Sequence, residues 1–290
     1  MKTAALLLPL LSLALLAGCS KTEEPAKPKV ASVSAAPAGY LEKIKARDKL
    51  IVGVFTDKPP FGFVDESGRY VGFDTDIGRR FAKDLLGDEN KVEFVAVEPA
   101  SRIPFLQSDK VDLILANMTV TPERKEAVEF TNPNLKVAVQ ALVPQGSSVK
   151  KLDDLATRTT IVTTGTTADI WLTKNHPDWK LLKFEKNSES LQALANGRGD
   201  AYAQDNLVLF SWAKQNPGYR VLEEKLGAEA PIAPAVKKGN LELRDWVNSE
   251  LAKLGEEKYL LKLYDQYVRK ELSDDTRPES VIVEGGKWQG

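Results

Sequence analysis
Residues 110–130, KVDLILANMTVTPERKEAVEF, constrain the fold more than any other stretch of the chain. Val111, Leu113, Ile114 and Leu115 form a short apolar run, the pattern of a strand buried on both faces. The run stops at Asn117, Thr119 and Thr121, and the chain restarts as a helix. Pro122 suits the first helical position because it lacks an N–H and fixes φ, and Thr121 before it predicts an N-cap. Arg124 falls in the first turn, where the positive end of the helix dipole disfavours a cation unless an anion lies beside it. Free backbone N–H groups, threonine hydroxyls and a guanidinium then converge on a point that suits a carboxylate, which arginine grips through two parallel hydrogen bonds. The alternative is an arginine paired at the surface with Glu123, Glu126 or a remote acid. On this stretch alone both readings stand.

Around it, β-rich runs alternate with helical patterns. A lead-in helix at 40–49 precedes a strand at 50–55, a DKPP loop, and a hairpin formed by 61–64 and 70–73 about the turn DESG. Asp74 predicts the cap of a helix over 77–86; a strand at 92–97 and a helix from Ala100 or Ser101 through 107 follow. A second unit starts near Leu135, with strands at 136–143, 159–163, 181–184 and 201–203. Its helices fall at 151–155, 170–175, 188–196 and 207–215. A strand at 232–236 and helices at 242–254 and 257–272 close the chain. Such alternation predicts an α/β protein with parallel sheets, whose ligands bind at the carboxyl ends of the strands. The loops at that end carry Phe55 to Lys58, Arg102, and Asn117 to Arg124. Two β/α units imply two lobes with a cleft between them, a preferred place for a small-molecule site.

Composition sets outer limits. With 290 residues and a net charge of −1, the chain offers no broad electrostatic case for nucleic acid. His176 is the sole histidine and Cys19 the sole cysteine, so no metal-ligand spacing, nucleophilic triad or internal disulfide is available; no catalytic set and no cofactor are expected. Past the N-terminus no run approaches the roughly 18 apolar residues that span a bilayer. Lys2, the apolar stretch 4–17 and the sequence Leu16-Ala17-Gly18-Cys19 form a secretory signal that resembles the bacterial lipoprotein signal, with cleavage before a lipidated Cys19. Residues 1–18 are then the signal peptide. Residues 19–39, rich in Pro, Ala, Ser, Lys and Glu, form a flexible tether.

The segments VGVFTDKPPFGFVDESGRYVGFDTDI, KVDLILANMTVTPERKEAVEF, TTGTTAD and GDAYAQDN resemble the extracellular solute-binding receptors of ABC importers for polar amino acids. Within that family, GVFTDKPPFGFVDE, GTTAD, RGDAYAQDN, IAPAVKKG and the ending VIVEGGK resemble the lipoprotein cysteine receptors, and the resemblance runs from residue 50 to 287. It implies a type II periplasmic-binding-protein ("Venus flytrap") fold with two hinge crossings. Lobe 1 would comprise 40–138 plus 232–290, and lobe 2 would comprise 139–231.

The same resemblance implies that Arg124 and Thr119 hold a ligand α-carboxylate, helped by backbone N–H groups near Thr166 and Thr167. Asp205 would accept from the α-ammonium, and the Asn117 carbonyl would take a second ammonium proton. Met118, Phe55 and Lys58 would complete the site, with Lys58 standing where many members carry an aromatic. Read without the family, Asp205, Thr166 and Thr167 are also good helix caps. Arg102 either grips a side-chain carboxylate or walls the pocket. The implied protein is a monomeric, lipid-anchored periplasmic or cell-surface receptor that passes L-cysteine to a permease. Glutamate or aspartate is the main alternative ligand and cystine the next. An enzyme on the same scaffold and a surface adhesin are the alternatives of a different class.

Overall fold
The computed structural model describes residues 39–273 and 276–287. The signal segment, Cys19 and the tether before Gly39 lie outside the described residues.

Helix α1 (Tyr40–Arg47) leads into β1 (Leu50–Val54). Strands β2 (Asp57–Lys58), β3 (Gly62–Val64) and β4 (Tyr70–Val71) form a small antiparallel flap. Then come α2 (Phe73–Leu86), β5 (Val92–Ala96), α3 (Arg102–Gln107), β6 (Leu113–Ile114), α4 (Pro122–Ala127) and β7 (Val128–Phe130). Strand β8 (Leu135–Val137) leaves this region and β9 (Val139–Pro144) enters the second lobe. There follow β10 (Thr159–Thr163), α5 (Thr167–Asn175), β11 (Lys180–Phe184), α6 (Asn187–Ala195), β12 (Ala201–Asp205), α7 (Asn206–Gln215) and β13 (Tyr219–Val221). Strand β14 (Ala230–Ile232) returns the chain to β15 (Ala235–Lys237), α8 (Leu241–Glu256) and α9 (Tyr259–Leu263).

The sheets explain how the chain makes two lobes. The first has the order β5-β1-β6-β15-β7 and the second β11-β10-β12-β9-β13. In each, the first three strands are parallel and the fourth runs antiparallel to both neighbours. The sheets are therefore mixed, not parallel as the alternation suggests. The strands that break the pattern, β9 and β15, are those by which the chain arrives from the other lobe. Between the sheets, β8 and β14 pair as an antiparallel ribbon.

Two runs that read as single strands are thereby split. The stretch 136–143 changes sheets at Ala138, and 232–236 changes at Ala233 and Pro234, where proline supplies no N–H for a continuous ladder. The pattern at 257–272 also breaks, into α9, a π turn at Tyr264–Val268 and a 3-10 turn at Arg269–Glu271.

The first lobe buries α2 through Ile77, Phe81 and Ala82, and α8 through Leu243, Val247, Leu251 and Leu254, in one core with Leu50, Val52 and Val54 of β1 and Leu113 of β6. The α2 and α8 residues fall at helical spacing, and each large side chain so buried contributes about 1.5–3 kcal/mol. Asp74 does not cap α2. The helix begins at Phe73, four residues before the expected start, after Gly72 at φ 125°, where a Cβ would lie 2.3 Å from the Phe61 carbonyl oxygen. Asp74 is buried in the first turn instead, and its carboxylate accepts the Asn117 backbone N–H at 2.9 Å.

Candidate binding site
The parallel registers bring the carboxyl ends of β1, β5 and β6 together on one lobe and those of β10 and β12 on the other. Phe55, Lys58, Pro99, Arg102, Asn117 and Thr119 from the first lobe meet Thr166, Thr167, Gln204 and Asp205 from the second around a narrow, tightly closed polar cavity.

Arg124 enters as the sequence pattern requires. The Thr121 hydroxyl accepts the Arg124 N–H at 3.2 Å, and the helix starts at Pro122. The guanidinium is buried. Nη1 donates to the Thr119 carbonyl (2.7 Å) and the Thr167 hydroxyl (3.5 Å), and Nη2 to the Gly165 carbonyl (3.0 Å). These partners are neutral oxygens, so its positive charge is not spent on a surface acid; Glu123 lies instead 3.7 Å from Lys174. Burial lowers its pKa to about 10, which keeps it cationic at neutral pH. The Thr167 hydroxyl also donates to Thr119 Oγ1 at 3.0 Å, across the cleft.

Arg102 is committed to the protein. It donates to the carbonyls of Pro99 (3.0 Å), Ala116 (2.9 Å), Asn117 (3.2 Å) and Gly165 (3.4 Å), and it lies 5.5 Å from the centre of the Phe55 ring. Burial, with the Arg124 charge next, pulls its pKa well below the usual arginine range. The geometry matches a wall. It also engages the Asn117 carbonyl that the sequence reading gave to a ligand ammonium.

Thr166 is the α5 cap, its hydroxyl accepting from the Asp169 N–H (3.3 Å) and donating to the Thr163 carbonyl (2.7 Å), and it lines the cavity as well. Asp205 stands at the N-cap position of α7 but makes no side-chain cap bond; its Oδ2 faces Lys58 Nζ at 3.2 Å. Met118 does not line this cavity. It packs in an apolar cluster with Phe55 and lines an adjoining space with Arg102, Arg124 and Ile170.

The sequence reading passed over Gln204, Pro99 and Gly165. Gln204 sits beside Asp205 in GDAYAQDN, and its Nε2 donates to Asn187 (2.8 Å) and Tyr202 (2.9 Å). Gly165, in TTGTTAD, has φ 78°, and a Cβ there would come within 2.9 Å of Ala100 Cα. Only glycine lets this loop reach the first lobe closely enough to offer its carbonyl to both arginines.

Two lobes closing on a small, charged, enclosed site define a solute-binding protein of the type II periplasmic class. The family profile described as "Bacterial extracellular solute-binding proteins, family 3" matches residues 50–270, and the chain belongs to that family. It is 40% identical over 231 residues to the glutamine-binding protein of Geobacillus stearothermophilus, covering 77% of this chain and 87% of that one. Among solved structures, the cysteine-binding protein of Campylobacter jejuni is similar with a TM-score of 0.84 and 45% identity, covering 85% of this chain and 100% of that one. The solute receptor for L-cysteine of Neisseria gonorrhoeae gives 0.82 and 45%, covering 84% and 99%.

Proposed function
We propose that this protein is the receptor of an ABC importer for a small polar L-amino acid, with L-cysteine as its ligand. The observation that carries the reading is the opposition of charges where the two lobes meet. Arg124, in the adjoining space, contacts the Thr167 hydroxyl, which with Thr119 lines the cavity, and the Asp205 carboxylate lines the same cavity. A zwitterion carries an anion and a cation a fixed distance apart, and each end meets its complement here. The two similar cysteine-binding structures support the particular ligand. The Geobacillus relative favours a second reading, glutamine.

In this reading lobe 1 is 40–138 plus 232–290 and lobe 2 is 139–231. Cys19 carries the lipid that holds a monomeric receptor near a membrane, and the closed form is handed to a permease. The protein is read as a carrier and not an enzyme.

The deciding experiment is calorimetric titration of residues 40–290, unfolded and refolded to strip bound ligand, with cysteine under reducing conditions, cystine, glutamate, aspartate, serine and glutamine. Tight binding of cysteine supports the reading. Tight binding of glutamine or glutamate keeps the receptor class and changes the ligand. Silence from all six, with the protein folded, defeats the amino acid reading.

A further inference from the structure
Lys58 is an unexpected residue to enclose at a ligand site. Its side chain is buried, and Nζ lies 2.7 Å from Asn117 Oδ1, 3.2 Å from Asp205 Oδ2 and 3.5 Å from Gln204 Oε1. It also sits 5.2 Å from the centre of the Phe55 ring. Burial lowers the Lys58 pKa, and the Asp205 carboxylate beside it opposes that shift; with the Asn117 oxygen and the Phe55 ring face also turned to Nζ, the surroundings favour the ammonium.

Two consequences follow from that ammonium. The first concerns Asn117. Its Oδ1 is committed to Lys58, which fixes the amide orientation, and its Nδ2 is buried with no hydrogen-bond partner, on a residue that lines the cavity. A buried amide donor without a partner calls for an acceptor, and a ligand in the cavity would supply one. The second concerns charge. The buried ionisable groups lining the cavity are Lys58, Arg102 and Asp205, and those next to it are Arg124 and Asp74, three positive and two negative in all. Asp74, pushed up to about 6 by burial, is mostly ionised at neutral pH. Asp57 beside Lys58 and Glu123 beside Arg124 lie nearer solvent, and Asp169 is paired with Lys183 at 2.6 Å. A zwitterion leaves the positive excess of the buried set unchanged; a ligand with one further negative charge cancels it.

We infer that Lys58 determines ligand preference: it presents Asn117 as a donor and leaves the buried cluster positive, so the site takes an L-amino acid whose short side chain is an anionic acceptor, which for cysteine is the thiolate. The inference rests on the amino acid receptor reading and deepens it. Free cysteine, with a thiol pKa of about 8.5, is protonated at pH 7, so binding as the thiolate releases the thiol proton to the buffer.

The test is titration of cysteine, kept reduced, at pH 7 in buffers of different ionisation enthalpy, and across pH 6.5 to 8. Release of about one proton and an affinity that rises about tenfold per pH unit are expected. Serine, whose hydroxyl does not ionise in this range, should bind at least about tenfold more weakly. In Lys58→Met, checked for fold by circular dichroism, proton release should fall toward zero and the preference for cysteine over serine should shrink. Tight cysteine binding with no proton release and a flat pH profile would overturn the inference while leaving the cysteine receptor standing. Aspartate bound tightly in place of cysteine, and lost in Lys58→Met, would uphold selection by charge while defeating cysteine as the ligand. Tight binding of glutamine or serine would overturn it.

Discussion
The Asp57 carboxylate, on the first lobe, accepts a hydrogen bond from the backbone N–H of Ser188 in the second, at 2.9 Å. Ser188 lies in the first turn of α6, and Asn187 Nδ2 adds a longer contact to the same carboxylate at 3.4 Å. Asp57 thus supplies to α6 from across the cleft what an N-cap side chain supplies from within a chain. The contact exists only when the lobes are together, and ligand binding is coupled to that closure because both lobes line the cavity. Removing a cap side chain costs about 0.5–2 kcal/mol, so Asp57→Ala should weaken ligand binding by about 2- to 30-fold. The loss should appear mainly in the dissociation rate, read by stopped-flow. An unchanged dissociation rate would mean that the contact does not hold the lobes.

Closure also depends on Gly165. A side chain there faces two penalties: a φ of 78°, and a Cβ placed 2.9 Å from the Ala100 backbone in the opposite lobe. Gly68 isolates the first, since its φ is 79° and nothing lies within 4 Å. Gly68→Ala should therefore lose only about 1 kcal/mol of stability and leave binding intact. Gly165→Ala should reduce ligand affinity by tenfold or more, on the scale of about 1–3 kcal/mol for overpacking a tight contact. Small-angle scattering with saturating ligand should show Gly165→Ala less compact than Gly68→Ala. Equal affinities in the two variants would refute the steric argument.

The local elements around the site were legible because each is set by nearby residues. Thr121-Pro122 starts α4 and the apolar run before it forms a strand, whatever the rest of the chain does. The exchange of strands between lobes was not legible. The runs at 136–143 and 232–236 have continuous strand character, and their division depends on which sheet each half finds, a tertiary choice that side-chain alternation does not encode. Asp74 was misjudged for a related reason. An aspartate before a helix suggests a cap, and its burial against the Asn117 backbone N–H is a tertiary contact that the local sequence does not encode.

Glu98 predicts a dependence of stability on pH. Burial, then the Asp57 charge, push its carboxyl up to about 7; Lys186 opposes the shift and Glu189 and Glu185 add to it. Its Oε2 is buried without a hydrogen-bond partner. A carboxyl whose folded pKa exceeds its unfolded value, about 4.3, favours the folded protein in its protonated form. The folded state then binds more protons than the unfolded one between about pH 4.3 and 7, so stability falls as pH rises through that window. Glu98→Gln removes this contribution. The variant should melt higher than the parent at pH 8, and the gap should narrow toward pH 5. A constant difference across pH would show that Glu98 does not titrate in that range.

Arg124 and Asp205 should both be required for ligand, yet their removal should differ in the free protein. Each provides charge-assisted hydrogen bonds in an enclosed site, so Arg124→Ala and Asp205→Ala should each lose about 2–5 kcal/mol of binding, measured by calorimetry. Arg124→Ala deletes a cation whose partners are neutral oxygens, and the protein is left with no stranded charge. Asp205→Ala strips Lys58 of its carboxylate partner, 3.2 Å away, and leaves an ammonium enclosed without its counter-ion. Breaking one half of a buried pair is destabilising by about 3–5 kcal/mol, so Asp205→Ala should lower the melting temperature by several degrees more than Arg124→Ala. The double variant Lys58→Met/Asp205→Leu tests the cause. It removes both charges, so it should recover most of the melting temperature and none of the ligand affinity. A double variant that remains as unstable as Asp205→Ala would show that the loss comes from packing around β12 and not from the unpaired Lys58.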